Sequence, residues 1–410
     1  MTPRTKADRL WGRLMALAEI GALPGGGVNR QALSPGEIEA WRLLIGWAAE
    51  AGMEPSTDPA GNLFLTLPGR DRALPPLLMG SHIDTQPTGG KFDGAFGVLA
   101  ALEAAQSLGI TPARDVTVVA WMNEEGSRFA PGMMGSEAFA AVRPLAEILA
   151  ARDANGTSVA EALSTLHAAF PELPCRRLGF PIAWYLEPHI EQGPLLEQHG
   201  APIGIVTGIQ GKKTWEMVVR GEEGHAGTLD MADRQDALAA FARIADAMFR
   251  EVGTIDPIIK FTIGMVRLEP NAPSVVPARL TFRIDLRHPD NAVLHAAGER
   301  LEGLAASHAP PCTIKVKRLV DAPSNGFDAD LRARIARAAE GLGEAAMPIL
   351  SAAGHDARHM APLCRTAMIF IPCRDGVSHA EHEWAEPAHV AAGAAVLAEV
   401  AAGLVLEPAS

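Results

Sequence analysis

Four cysteines in 410 residues, Cys175, Cys312, Cys364 and Cys373, with no CxxC pair among them, leave nothing for a disulfide framework to be built from. Reduced core thiols are the reading. Basic residues are also short: 36 Lys and Arg face 48 Asp and Glu, for a formal charge of −12, and no basic run rises above that background. A nucleic-acid or anionic-membrane surface is excluded on that ground. Charges interrupt the longest apolar stretches before the ~18 residues that span a bilayer. Glu19 breaks the apolar segment behind the basic N-terminus, and no small-residue cleavage site follows. The expectation is a cytoplasmic chain without a membrane span. Repeats and low-complexity tracts are missing too, apart from Gly25 to Gly27, which reads as a loop.

What is present is apolar material, 48% of the residues, with 20% charged. That rules out wholesale disorder, and the length calls for two domains. Ser34-Pro35-Gly36-Glu37 carries the N-cap, N1 proline and N3 glutamate of a helix running to about Ala51. Strands are predicted at Asn62–Leu67, Leu77–Ile83, Asp115–Met122, Trp184–His189 and Ile203–Val206, with a small, apolar helix from Gly94 to Leu108. This alternation indicates an α/β fold, a mixed central sheet with helices on both faces. Between Lys212 and Pro323 the order becomes β-α-β-β-α-β, the ferredoxin-like α+β motif. The α/β pattern resumes with a helix at Ala329–Gly341 and a strand at Ala367–Ile371. The expected organisation is a catalytic domain in two parts, 1–211 and 326–410, with an inserted domain at 212–325.

Four clusters of histidines and acids follow predicted strands. His82-Ile83-Asp84 is followed by Asp93 in a glycine-rich turn; Glu124-Glu125 ends a strand; Glu187-Pro188-His189 and Ser378-His379 complete the set. Taken singly, each histidine reads as a hydrogen-bonded structural residue, and Glu124-Glu125 as a solvated turn. Their recurrence at strand ends shifts the reading to a metal site. His82, Asp93, Glu125, His189 and His379 make a mixed nitrogen and oxygen set suited to Zn²⁺, Mn²⁺ or Co²⁺. One bridging carboxylate would let five ligands hold two ions about 3.5 Å apart. The Asp84 carboxylate is expected to hold the second nitrogen of His82. Adjacent glutamates on an extended segment face opposite ways, so one can bind metal while the other faces a water.

Longer motifs carry a family resemblance over nearly the whole chain. They are Gly80 to Gly94, Asn123 to Gly135, His189 to Pro194, Gly224 to Thr228, Gly354 to Ala357 and Gly376 to His379. The sequence resembles the zinc-dependent amidases of the hydantoinase/carbamoylase group, within the clan of aminoacylases and dimetal carboxypeptidases. The resemblance implies two divalent ions, Asp93 as the bridge, and Glu124 as the general base. It also implies that His225 reaches a neighbouring active site and stabilises the oxyanion there, and that the insert is a lid and dimerisation module in a homodimer. Arg287 matches the arginine that grips a substrate carboxylate, and Gln192, Asn271 and His355 fall on substrate-contacting positions. Ser274 stands where the family usually has asparagine, which leaves substrate identity open.

The activity this implies is hydrolysis of an N-carbamoyl-L-amino acid, or β-ureidopropionate, to the amino acid, CO₂ and ammonia. An allantoate or ureidoglycolate amidohydrolase is the runner-up, then an aminoacylase or peptidase. A non-catalytic binding protein would have a broken ligand set or lack Glu124, and neither holds here.

Overall fold

The computed structural model describes residues 5–406. Those up to Gly208 and from Gly326 onward form one compact unit, and Ile209–Asn325 form a second.

The first unit is built on a nine-stranded mixed sheet. At its centre Leu77–His82 lies parallel to Val116–Trp121 on one side and to Trp184–Ile190 on the other, and Arg365–Ile371 continues in parallel beyond Trp184–Ile190. Nearly every residue of these four strands is buried, so both faces of the sheet are covered. The chain pairs first to one side of Leu77–His82 and then to the other, which makes the carboxyl end of that strand a topological switch point. Open α/β sheets gather their functional side chains at such a point. His82 is its last residue.

Helix Ala95–Gln106 is apolar all round and almost wholly buried. It packs against Leu77–His82 and against a second apolar helix, Pro387–Val405. The latter corrects the expectation that charges cut every apolar stretch short. Its one charge, Glu399, does not stop it from being long and apolar enough to cross a membrane by length and composition, but here it is a core helix with most of its residues buried. Near the amino end, Ser34 caps helix Pro35–Glu50 by accepting the Glu37 amide. The Glu37 carboxylate turns back to the amide of Leu33, one residue before the cap.

A link that sequence reasoning did not reach is Arg30. Buried, it donates to the carbonyls of Leu17 (2.8 Å), Ile20 (3.1 Å) and Ile83 (2.9 Å). It thereby closes the carboxyl end of helix Ala7–Ala18 and anchors the loop that follows His82.

The second unit is a four-stranded antiparallel sheet in the spatial order Thr313–Ala322, Gly211–Arg220, Arg279–His288, Lys260–Glu269. Counted along the chain this is 4-1-3-2, the ferredoxin-like arrangement, with helices Ala237–Glu251 and Asn291–His308 as its α elements. Trp215, Met217 and Val219 join Phe282, Ile284 and Leu286 in its core. Because side chains alternate, Arg283, Asp285 and Arg287 stand on the opposite face.

Gly94 shows how tightly the fold is fitted around the first unit's strand ends. It has φ 63°, and a Cβ added there would lie 2.4 Å from the atoms of the His82 ring. Gly94→Ala is expected to cost about 1–2 kcal/mol for the left-handed backbone alone, and to push the imidazole from its seat. Thermal unfolding and metal titration check both effects; metal affinity equal to wild type would mean the ring does not depend on this glycine.

Candidate metal centre

Two histidines approach Asp93 from adjacent parallel strands. The Nδ1 of His82 lies 3.0 Å from the Asp84 carbonyl, and the Nδ1 of His189 lies 2.9 Å from the Ile190 carbonyl. A carbonyl only accepts, so each Nδ1 carries a proton and each Nε2 is the atom turned toward Asp93. Those nitrogens sit 3.8 Å and 3.2 Å from Asp93 Oδ1. The Nε2 of His189 is buried without a hydrogen-bond partner. Burial pushes its pKa down to about 4, so the ring is neutral and its lone pair faces a carboxylate oxygen. Only a cation between them makes that contact favourable.

The other oxygen of Asp93 faces a second group. His379 Nε2 lies 3.2 Å from Asp93 Oδ2 and 3.3 Å from Glu125 Oε2. Each trio, His82–Asp93–His189 and Asp93–Glu125–His379, brings one ligand atom per residue within 4.8 Å of the others. Asp93 is common to both, one oxygen to each side. Nitrogen and oxygen donors in this mixture fit divalent transition metals.

The electrostatics ask for positive charge. Burial pulls the pKa of His82 down, but the carboxylates of Glu124, Asp84 and Asp93 more than reverse this, and the net direction is up. For His189 burial, aided by the neighbouring His82 and His379, outweighs the pull of Asp93, and the net direction is down. Burial raises Glu125 to about 7 and carries Glu124 well above the usual carboxylate range. His379, hydrogen-bonded to Asp93, is raised to about 9. In each raised case a proton is retained to offset crowded carboxylates, and divalent cations perform the same service without it.

Asp84 departs from its expected geometry. Its carbonyl, not its carboxylate, takes the His82 proton; the carboxylate is 3.6 Å away. Its two oxygens instead accept the backbone amides of Glu124 and Glu125, each at 3.2 Å. The turn after His82 bends the carbonyl inward and leaves the carboxylate to orient the neighbouring strand end. Glu124 Oε2 lies 3.7 Å from His82 Nε2. Gln192, held at φ 56°, donates to Asp93 Oδ2 at 3.0 Å, while its Oε1 is buried without a donor.

His355, expected to contact substrate, is engaged by protein groups. It is 2% exposed, hydrogen-bonds Ser351 at 3.0 Å, and stacks edge-on to His189 with ring centroids 4.5 Å apart. It forms a third convergent group with Glu187 and His189. That group is spent on protein partners: Glu187 already accepts from Ser81, Tyr185 and the Ala357 amide. Sequence reasoning gave no role to Gln86, which donates to Glu125 Oε2 at 2.8 Å, or to Glu383, Ser378 and Arg30. Gln86 and Ser378 stood inside the family-like motifs, which was their only signal.

His225, Asn271, Ser274 and Arg287 belong to the second unit. His225 pairs with Val275, and the Ala226 amide donates to the Ser274 carbonyl at 3.1 Å, so Ser274 lies beside the histidine. The His225 Nδ1 accepts the Gly227 amide at 3.0 Å. The neutral ring therefore carries its proton on Nε2 and is a donor there. Asn271 is exposed with φ 57°. Arg287 is engaged by Asp285 through two contacts, 2.8 and 3.2 Å.

A family model, peptidase family M20/M25/M40, matches residues 78–403. The chain belongs to that family. It is 39% identical over 402 residues to an N-carbamoyl-L-amino-acid amidohydrolase of Rhizobium meliloti, covering 96% of this chain and 95% of the relative. An allantoate amidohydrolase of Escherichia coli is 35% identical, covering 93% and 94%. The crystal structure of a hydantoinase/carbamoylase family amidase from Burkholderia vietnamiensis superposes with a TM-score of 0.88 at 40% identity over 99% of both chains. The M20 chain is thus a hydrolase of C–N bonds, of the hydantoinase/carbamoylase amidase type.

Because Asp93 is shared, Asp93→Ala is expected to abolish binding of both ions, whereas His379→Ala should retain one. Elemental analysis of the purified proteins reads the stoichiometry. Chelation of wild type should lower the Tm, since a ligand at 100 times its Kd contributes about 2.7 kcal/mol; an Asp93→Ala protein that keeps two ions would remove the bridge.

Proposed function

We propose that this enzyme hydrolyses the ureido C–N bond of N-carbamoyl-L-amino acids, with β-ureidopropionate as a related substrate, giving the amino acid, CO₂ and ammonia. The observation that carries the reading is the pair of trios sharing Asp93, with Glu124 beside them. Zn²⁺ is the expected ion, with Mn²⁺ or Co²⁺ as substitutes, held by His82, Asp93, Glu125, His189 and His379. When bound, such ions polarise a carbonyl and acidify a water.

The chain's own groups supply the rest. Glu124 takes the proton of the attacking water and passes it to the departing nitrogen. Burial and the neighbouring carboxylates raise its pKa, which favours handing the proton on to the departing nitrogen. Gln192 offers its unpartnered Oε1 to an N–H of the ureido group. His225, a donor at Nε2, stabilises the oxyanion from a neighbouring subunit. Arg287 takes the substrate carboxylate, with Asn271 and Ser274 as further contacts from the second unit. In this reading the second unit is a lid and dimerisation module, and the protein works as a cytoplasmic homodimer. The four free cysteines fit that reducing compartment.

A second reading, allantoate or ureidoglycolate hydrolysis, draws support from the Escherichia coli relative and from Ser274 in place of asparagine. Ammonia release from N-carbamoyl amino acids, β-ureidopropionate and allantoate, with Zn²⁺, Mn²⁺ or Co²⁺ added, separates them. On the preferred substrate, Glu124→Gln should hold metal like wild type and lose at least about 100-fold in kcat. Loss of metal in that variant but not in Glu125→Gln would exchange the two roles.

Subunit sharing has its own check. His225→Ala dimers mixed with Glu124→Gln dimers, under conditions of subunit exchange, should regain activity, because each mixed dimer holds one site with both groups intact. Demonstrated exchange without recovery would place His225 in its own chain's site.

A further inference from the structure

One buried acid beside the metal centre is in neither trio. Glu383 is 2% exposed. Its Oε1 accepts the backbone amides of Phe92 and Asp93, both at 3.0 Å, and its Oε2 accepts the Ser378 hydroxyl at 3.0 Å. That hydroxyl also lies 3.1 Å from Asp93 Oδ2, and Ser378 immediately precedes His379. One carboxylate thus ties the turn that carries Asp93 to the loop that carries His379, across 290 residues of sequence.

The surroundings are shaped to admit it. A Cβ at Gly90 would lie 2.0 Å from Glu383 Oε1 and 2.5 Å from its Cβ, so the Gly89-Gly90 pair leaves the space the carboxylate occupies. The next residue, Trp384, packs edge-on against Phe92 and Trp11 at ring-centroid distances of 5.6 and 5.5 Å, and its carbonyl accepts the Arg374 amide at 2.7 Å. The backbone behind Glu383 is therefore fixed by packing, and the side chain reaches forward from a rigid base.

We propose that Glu383 is a positioning residue, one that sets the bridging carboxylate of Asp93 and the imidazole of His379 at the separation that divalent ions require. The proposal rests on the reading of Asp93 and His379 as ligands. The chemistry requires an acceptor that can serve two convergent N–H groups with one oxygen and address a hydroxyl with the other, which a carboxylate does. Groups that orient metal ligands in this way are worth about 10- to 100-fold in metal affinity or activity. A glutamine retains most of it. Its Oε1 still accepts both amides, and its NH₂ donates to Ser378 Oγ, whose single proton is then directed to Asp93.

Competition with a chromophoric chelator, run on the full-length apo protein as Zn²⁺ is returned, measures affinity and stoichiometry for each variant. Glu383→Ala is expected to bind the ion on the His379 side about 10- to 100-fold more weakly, and Glu383→Gln close to wild type. Gly90→Ala, which displaces the carboxylate without removing it, should weaken the same ion, and the double variant Gly90→Ala/Glu383→Ala should be no worse than Glu383→Ala, since both act through one contact. Gly90→Ala also carries the test if Glu383→Ala does not fold. Wild-type affinity in Glu383→Ala, or in Gly90→Ala where it stands in, overturns the proposal, even with a lowered apo Tm, because a mere brace behaves so. Equal weakening in Glu383→Gln and Glu383→Ala overturns it as well. Asp93→Ala is the control for the underlying reading: two ions retained there defeat the ligand assignment, whereas wild-type affinity in Glu383→Ala alone defeats only the role of Glu383.

Discussion

The rest of the catalytic unit depends on one carboxylate having two oxygens that face different ways. Asp93 is 3% exposed, and each of its oxygens looks into a separate group of donors. A buried carboxylate in that position is costly unless cations or hydrogen bonds compensate it. The fold supplies the hydrogen bonds and the donors that could hold a cation. Gln192 and Ser378 reach Oδ2, the His189 lone pair is aimed at Oδ1, and Gly94 removes the one Cβ that would block His82. These residues come from four separate stretches of the chain, His82, Asp93–Gly94, His189–Gln192 and Ser378. What brings them together is the parallel core of the sheet, whose four strands all end on one side.

That sheet is also why so much was readable. A parallel strand buried on both faces leaves a continuous apolar run, so Leu77–His82, Val116–Trp121 and Arg365–Ile371 stood out, and the polar residues just beyond them marked the site. The inserted unit was legible for a different reason. Its strands alternate, as Gly211–Arg220 does, and its two helices follow at regular intervals. That strand opens with glycine and two lysines, which carry little hydrophobic signal, so its start was the less legible end.

What stayed hidden was contact between a side chain and a distant backbone. Arg30 bonds to three carbonyls, Asp84 to two amides and Glu383 to two more. Backbone amides and carbonyls are the same at every position, so nothing in the residue order announces which of them a side chain will meet. The Asp84 expectation failed for this reason. The spacing placed a carboxylate beside a histidine, but the turn between them decided that its carbonyl would face the ring. The core helix Pro387–Val405 was missed differently, since a segment apolar on every side has no periodicity to read.

In the role proposed for Arg287, the second unit would meet its ligand as an exchange rather than an addition. Arg287 already holds Asp285 through two contacts, and Lys212 lies 3.3 Å from the same carboxylate. Burial raises the Asp285 pKa, but those two cations outweigh it and hold the group ionised. An incoming substrate carboxylate therefore competes with a protein carboxylate of equal charge and similar geometry. Most of the Coulomb energy gained is energy given up, and the net affinity from this contact is small. Discrimination is kept, because a neutral amide cannot match the bidentate pair it would have to displace. In that role the contact would read the charge of a ligand rather than hold it tightly.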